Sequence, residues 1–125
     1  MDQSDRDKIE KIIQDRRWAH EKLTRAGSGV YQAFLEMEKA AYSENALSKM
    51  HKELIAVGIS VLLDCESCLE WHIHQALEAG AGEDQILEAI EVGIEMGGGP
   101  ATVSCRFALK VLEYYSEAEP FGSST

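Results

Sequence analysis

Cys65, Cys68 and His72 stand at spacings of three and four within CESCLEWH, in a chain that has three cysteines in all. On a helix turning about 100° per residue, these side chains fall within about 60° of one another and share one stripe, whereas His74 points to the other side. If Cys65 opens the helix, the unpaired amides there favour its thiolate. Sulfurs at i and i+3 of a first turn can close a disulfide with modest local adjustment, the arrangement of dithiol oxidoreductases. Zinc is a competing chemistry: the stripe supplies three ligands of the four in a closed site, and Cys105 or a neighbouring subunit would have to complete it. Burial of three residues on the inside of a helix is the bland alternative.

A magnitude shows what the histidine must add. Lowering a thiol pKa from ~8.5 to ~6.5 raises its thiolate fraction at neutral pH about 25-fold. The accompanying fall in nucleophilicity removes about 6- to 10-fold of that gain. With a hydroperoxide as substrate, the harder problem is the leaving alkoxide, and a positioned general acid contributes ~10² to 10⁴. His72 is placed to take the thiol proton and deliver it to that oxygen. The preceding segment, KELIAVGISVLLDC, offers Glu53 as the carboxylate that orients the imidazole. Judged alone, Glu53 reads as a solvated carboxylate near a helix start.

The elements that must position these groups read as helices. Ser4 with Asp7 resembles a capping box, and Ile9, Ile12, Ile13, Arg16, His20 and Leu23 follow at helical spacing. AGSG at 26–29 stops that helix, and a second is expected over about 30–43, with Tyr31, Phe34, Leu35 and Met37 as its apolar residues. Ser48 suits the N-cap of a third, KMHKELIAVGISVLLDC. Its middle is apolar nearly all round, through Leu54, Ile55, Val57, Ile59, Val61 and Leu62, which predicts a buried central helix. Strand is disfavoured by length and lack of alternation. A fourth helix starts near Cys65 and ends at EAGAG, and the fifth is EDQILEAIEVGIEMG. GGGP at 97–100 breaks the chain and lets helices five and six pass closely; it lacks the lysine and preceding strand of a phosphate-binding loop. Pro100 suits the first turn of the sixth helix, ATVSCRFALKVLEYYSEA, and EPFGSST reads as a frayed tail. The fold class is all-α, with about six helices. Cys105 reads as a packing residue, and His20, His51 and His74 as surface or interface histidines. Ser60 and Trp71 are expected near the site, Tyr114 and Tyr115 in the core or an interface, and helix one against the domain or a neighbouring subunit.

The 125 residues suit one domain with a single core. Acidic residues outnumber basic ones 22 to 12, a net charge of −10 that repels phosphate backbones and anionic membranes. Nucleic-acid and membrane partners are therefore not expected. No apolar run approaches the roughly 18 residues needed to span a bilayer, and the charged N-terminus has no signal-peptide character. A cytoplasmic location is the expectation, and in that reducing compartment CxxC reads as redox or metal chemistry.

Glu53, eleven residues, Cys65, two residues, Cys68, three residues, His72: this pattern resembles the alkylhydroperoxidase D-like proteins of the carboxymuconolactone decarboxylase superfamily. YQAFLEMEKAA, the KELIA entry to the third helix, HxxxALEAGA and MGGGPA resemble them as well. The expected division is an N-terminal amphipathic helix over 1–28, the family-like domain over 29–118, and a tail over 119–125. The resemblance implies an alkylhydroperoxidase D-like helical fold assembled as a trimer or hexamer. It also implies a thiol peroxidase or disulfide reductase that uses no metal or other cofactor. Cys68 would attack the hydroperoxide, Cys65 would resolve the product to a disulfide, and Glu53 and His72 would relay protons. The implied partners are a hydroperoxide or small disulfide as substrate and a dithiol reductant, such as a lipoyl group on a protein or a thioredoxin-like protein. Two alternatives stay open: cofactor-free lactone chemistry with His72 and Glu53 as acid and base, and a non-catalytic helical oligomer that binds metal or senses redox state.

Overall fold

Orphan amides at helix N-termini attract side-chain acceptors, and four of these helices start on one. Ser28 accepts from the Tyr31 amide, Ser48 from that of His51, and the Cys65 sulfur from that of Cys68. The first helix departs from expectation. The Asp2 carboxylate caps it by accepting from the Asp5 amide, so Ser4 lies inside the first turn and the expected Ser4–Asp7 box does not form. An anion ahead of the helix complements its positive end, and it reaches the free amides before the serine can.

The computed structural model describes residues 1–118, and the expected tail at 119–125 lies outside the described residues. Among the described residues the elements are six helices: α1 (Gln3–Arg25), α2 (Gly29–Ala41), α3 (Lys49–Leu63), α4 (Glu66–Glu78), α5 (Glu83–Gly97) and α6 (Gly99–Ala118). The all-α class stands. The core lies among α3, α4, α5 and α6, where Val57, Val61, Leu69, Ile73, Ile90 and Val111 are fully buried. The outer two helices contribute little to it: α1 buries Ile9 alone, and α2 buries no residue. Ile12 and Ile13 of α1 pack against the core beside Ile9, and ion pairs add to the attachment, from Arg6 to Glu117 at 2.5 Å, Lys110 to Asp5 at 2.7 Å, and Arg16 to Glu70 at 2.6 Å.

The central helix is buried on one face only. Ala56, Val57, Ser60 and Val61 face the core, while Ile55, Ile59, Leu62 and Leu63 are exposed. The buried face meets α5 backbone to backbone: a Cβ added at Gly93 would lie 2.8 Å from the Gly58 carbonyl oxygen. The GGGP turn does bring α5 close to α6, since a Cβ at Gly97 would lie 2.7 Å from that of Ala101.

Candidate active site

The site begins where α3 ends. Asp64 takes the left-handed conformation, φ 53° and ψ 43°, and terminates the helix. Its carboxylate accepts from the Ser104 hydroxyl of α6 at 2.9 Å, and the Cys65 amide turns back to the Ser60 carbonyl at 3.2 Å. The chain therefore reverses at a fixed angle, and Cys65 becomes the N-cap of α4. Cys65 and Cys68 form a disulfide with their Cα atoms 5.2 Å apart, inside the range of roughly 4.4–6.8 Å that bridging requires.

One helical turn beyond Cys68, His72 places Nδ1 2.7 Å from Oε1 of Glu53. Glu53 is buried on the first turns of α3, and its second oxygen lies 3.1 Å from Lys49 Nζ, which also donates to Gln75 Oε1 at 3.2 Å. Both oxygens of the buried carboxylate are thus partnered, as a charge removed from water requires. With Glu53 ionised, Nδ1 of His72 carries the proton and Nε2 is the basic nitrogen. The Tyr42 ring stacks on the imidazole, centroids 5.3 Å apart and planes at 29°. Burial first, then the carboxylates of Glu53 and Glu38, raise the Tyr42 phenol above its ordinary value, so it stands over the imidazole as a neutral group.

Two cavities meet this arrangement from different sides. One of about 570 Å³ is lined by Cys68 and His72 together with Trp71, Phe34, Arg17 and His20. The other, about 410 Å³, is lined by Glu53, Lys49, Gln75, Tyr42 and Trp71. Trp71 belongs to both, which puts it between the sulfur side and the carboxylate side of the relay.

The stripe of Cys65, Cys68 and His72 is thus assembled beside Glu53. Ser60 supports the Cys65 turn through its carbonyl, and its hydroxyl donates to the Ala56 carbonyl at 2.7 Å. Cys105 is buried in the core, with its thiol on the Thr102 carbonyl. His74 stacks on Tyr115 and pairs with Glu78, away from the disulfide, and His51 contacts the Ser48 hydroxyl. His20 is exposed, in keeping with its surface reading, and it also lines the Cys68 cavity, its Nδ1 2.6 Å from the Tyr31 hydroxyl. Tyr42, Lys49, Gln75 and Arg17 were not expected at the site. Only Lys49 left a signal, its i,i+4 relation to Glu53. Among the described residues, no group of three or more His, Cys, Asp and Glu side chains gathers as a metal ion would need, and no helix is long and apolar enough to cross a membrane.

A model of the Carboxymuconolactone decarboxylase family matches residues 28–111. The chain is 40% identical over 90 residues to "Uncharacterized protein 4 in cox locus" of Paracoccus denitrificans, covering 72% of this chain and 81% of that protein. It is 32% identical over 80 residues to the alkyl hydroperoxide reductase AhpD of Anaeromyxobacter sp. (strain K), covering 54% of this chain and 43% of that one. A crystal structure of a carboxymuconolactone decarboxylase family protein from Legionella pneumophila superimposes with a TM-score of 0.78 at 29% identity, over 89% of this chain and 96% of the other. One from Thermotoga maritima does so with a TM-score of 0.81 at 29% identity, over 90% and 96%.

Proposed function

Because the chain belongs to the carboxymuconolactone decarboxylase family, we propose that it is a thiol-dependent peroxidase or disulfide reductase driven by Cys65 and Cys68. One observation carries the reading: a disulfide on a single helical turn adjoins the pair of His72 with the buried Glu53, and Cys68 and His72 line the same cavity. Two relatives point the same way, the alkyl hydroperoxide reductase of Anaeromyxobacter, of which this chain spans less than half, and the Thermotoga protein, for which a role in antioxidative response has been suggested.

In the reduced enzyme, Nε2 of His72 takes the Cys68 thiol proton. The Cys68 thiolate attacks the terminal oxygen of a hydroperoxide; a sulfur–oxygen bond forms as the O–O bond breaks. The departing alkoxide receives the proton held on His72, giving an alcohol and a Cys68 sulfenic acid. Glu53 stabilises the transient imidazolium and keeps the ring oriented. The Cys65 thiol then attacks the Cys68 sulfur and expels water, closing the disulfide. An external dithiol, a lipoyl group on a protein or a thioredoxin-like protein, supplies two electrons and two protons to reopen it. A small disulfide enters the same cycle by thiol–disulfide exchange. The same reading includes a cytoplasmic location, where reducing dithiols are supplied, and assembly of the chain as a trimer or hexamer.

The test is a titration of reduced protein with cumene hydroperoxide, followed by intact mass and peptide mapping. The expected result is loss of the Cys65 and Cys68 thiols to one disulfide while Cys105 stays reduced. Retention of both thiols under excess peroxide and under excess small disulfide overturns the reading.

A further inference from the structure

Resting on that reading, we propose that the cavity beside Cys68 binds organic hydroperoxides that carry a carboxylate, and that Arg17 of α1 recognises the carboxylate. A volume of about 570 Å³ falls among pockets that hold whole organic ligands. Hydrogen peroxide, little larger than a water at about 30 Å³, would leave nearly all of it empty. The rings of Trp71 and Phe34 with Leu35 give it an apolar body next to the sulfur.

In a molecule of net charge −10, α1 brings three basic side chains, Arg16, Arg17 and His20, to the wall of this cavity, against the single acid Glu38 from α2. Two of the three are occupied. Arg16 pairs with Glu70 at 2.6 Å and donates to the carbonyl and hydroxyl oxygens of Ser67 at 3.1 and 3.2 Å. His20 is held by the Tyr31 hydroxyl. Among the described residues the Arg17 guanidinium has neither an ion pair nor a hydrogen bond, so it is the cation left for a ligand. A guanidinium takes a carboxylate through two parallel hydrogen bonds. Arg16, lying 5.1 Å over the Trp71 ring, fixes this part of α1 against α4, and so sets where Arg17 stands relative to Cys68. The family match begins at residue 28, after α1 ends. The cationic wall is therefore supplied by a segment outside the matched domain.

The experiment compares three probes on the full chain, with dithiothreitol as electron donor: cumene hydroperoxide, para-carboxycumene hydroperoxide, and the methyl ester of the latter. The readout is the ratio of kcat/KM for the acid over the ester. At low salt the wild type is expected to favour the acid by about fivefold, mainly through KM, with the ratio falling toward one at high ionic strength. Arg17→Gln brings the low-salt ratio to about one, Arg17→Lys restores part of it, and Arg17→Glu inverts it. Arg17 is exposed, so these variants are expected to fold, and a ratio within one protein is insensitive to its active fraction. A wild-type ratio of one or below, or a ratio unchanged by Arg17→Gln, overturns this inference while leaving the peroxidase reading intact. Failure of the wild type to consume any of the three overturns the inference and, with it, the peroxidase form of that reading.

Discussion

At the scale of single residues, the site separates two jobs that the sulfurs alone cannot perform together: holding electrons and moving protons. Cys68→Ser is expected to abolish peroxide turnover. Cys65→Ser should stall after one turnover with a sulfenic acid on Cys68, trapped by dimedone and seen as a mass adduct. Glu53→Gln keeps a hydrogen-bonding group against His72 Nδ1 but removes the charge that stabilises the imidazolium. It is expected to lower kcat/KM for cumene hydroperoxide by roughly 10- to 100-fold, measured in a coupled dithiol assay, with the disulfide still formed by diamide. Lys49→Met should cost only a few-fold, because its side chain is 41% exposed and water can replace part of its interaction with Glu53. Cys65, Cys68 and His72 were legible because helical periodicity puts i, i+3 and i+7 on one side, and Glu53 because a fixed run of residues separates it from Cys65. Tyr42 and Gln75 were not: each reaches the site through the packing of α2, α3 and α4, and no spacing within one segment encodes that.

At the scale of elements, α1 adds a set of ion pairs to the apolar contacts of Ile9, Ile12 and Ile13. Arg16 pairs with Glu70, which is buried and also accepts from the Tyr115 hydroxyl. Arg16→Met would leave that carboxylate without its counter-charge, at a cost of roughly 3 kcal/mol. A lowered Tm and faster amide exchange along α1 would report it. Around the start of α1, the Asp5 amide depresses the Asp2 carboxyl and Arg6 depresses that of Glu117. Groups with lowered folded values stabilise the structure above the unfolded carboxylate range, near 4, and lose that contribution as pH falls through their own values. Lys110, raised by its hydrogen bond to Asp5, acts in the opposite sense: its contribution is present below the ordinary lysine value and is lost as pH rises through its raised one. Exchange protection of α1 amides should therefore fall more than that of α4 between pH 7 and pH 3, after correction for intrinsic rates. Equal losses would contradict a polar contribution to the attachment of α1. The helix itself was plain in the sequence, through its 3.6-residue pattern. Its cap was not, because Asp2 and Ser4 are both good capping residues and only the entering backbone decides between them.

At the scale of the whole molecule, the exposed face of α3 is the feature that one chain alone does not explain. Ile55, Ile59, Val92 and Met96 are each half exposed or more, and with Leu47 and Leu62 they line a groove of about 670 Å³ between α3 and α5. Contiguous apolar surface of this kind marks an interaction site on a folded protein. It also explains why α3 reads as apolar nearly all round: composition registers that a residue avoids water, not whether its own core or a neighbouring copy excludes it. The proposed assembly would cover this face, and the prediction follows from its chemistry. Placing carboxylates there, as Ile59→Glu with Val92→Glu, adds two charges whose burial at an interface is unfavourable by several kcal/mol, whereas in a monomer both side chains stand in solvent and cost little. Light scattering coupled to size exclusion should give a trimer or hexamer for the wild type and a smaller species for the double variant, with helical circular dichroism unchanged. A wild type that elutes as a monomer at tens of micromolar, or a variant that keeps the wild-type mass, would assign this face to something other than a second copy. The choice of positions makes the outcome informative, since neither side chain belongs to the buried face of its helix, and a change in mass would report association and not unfolding.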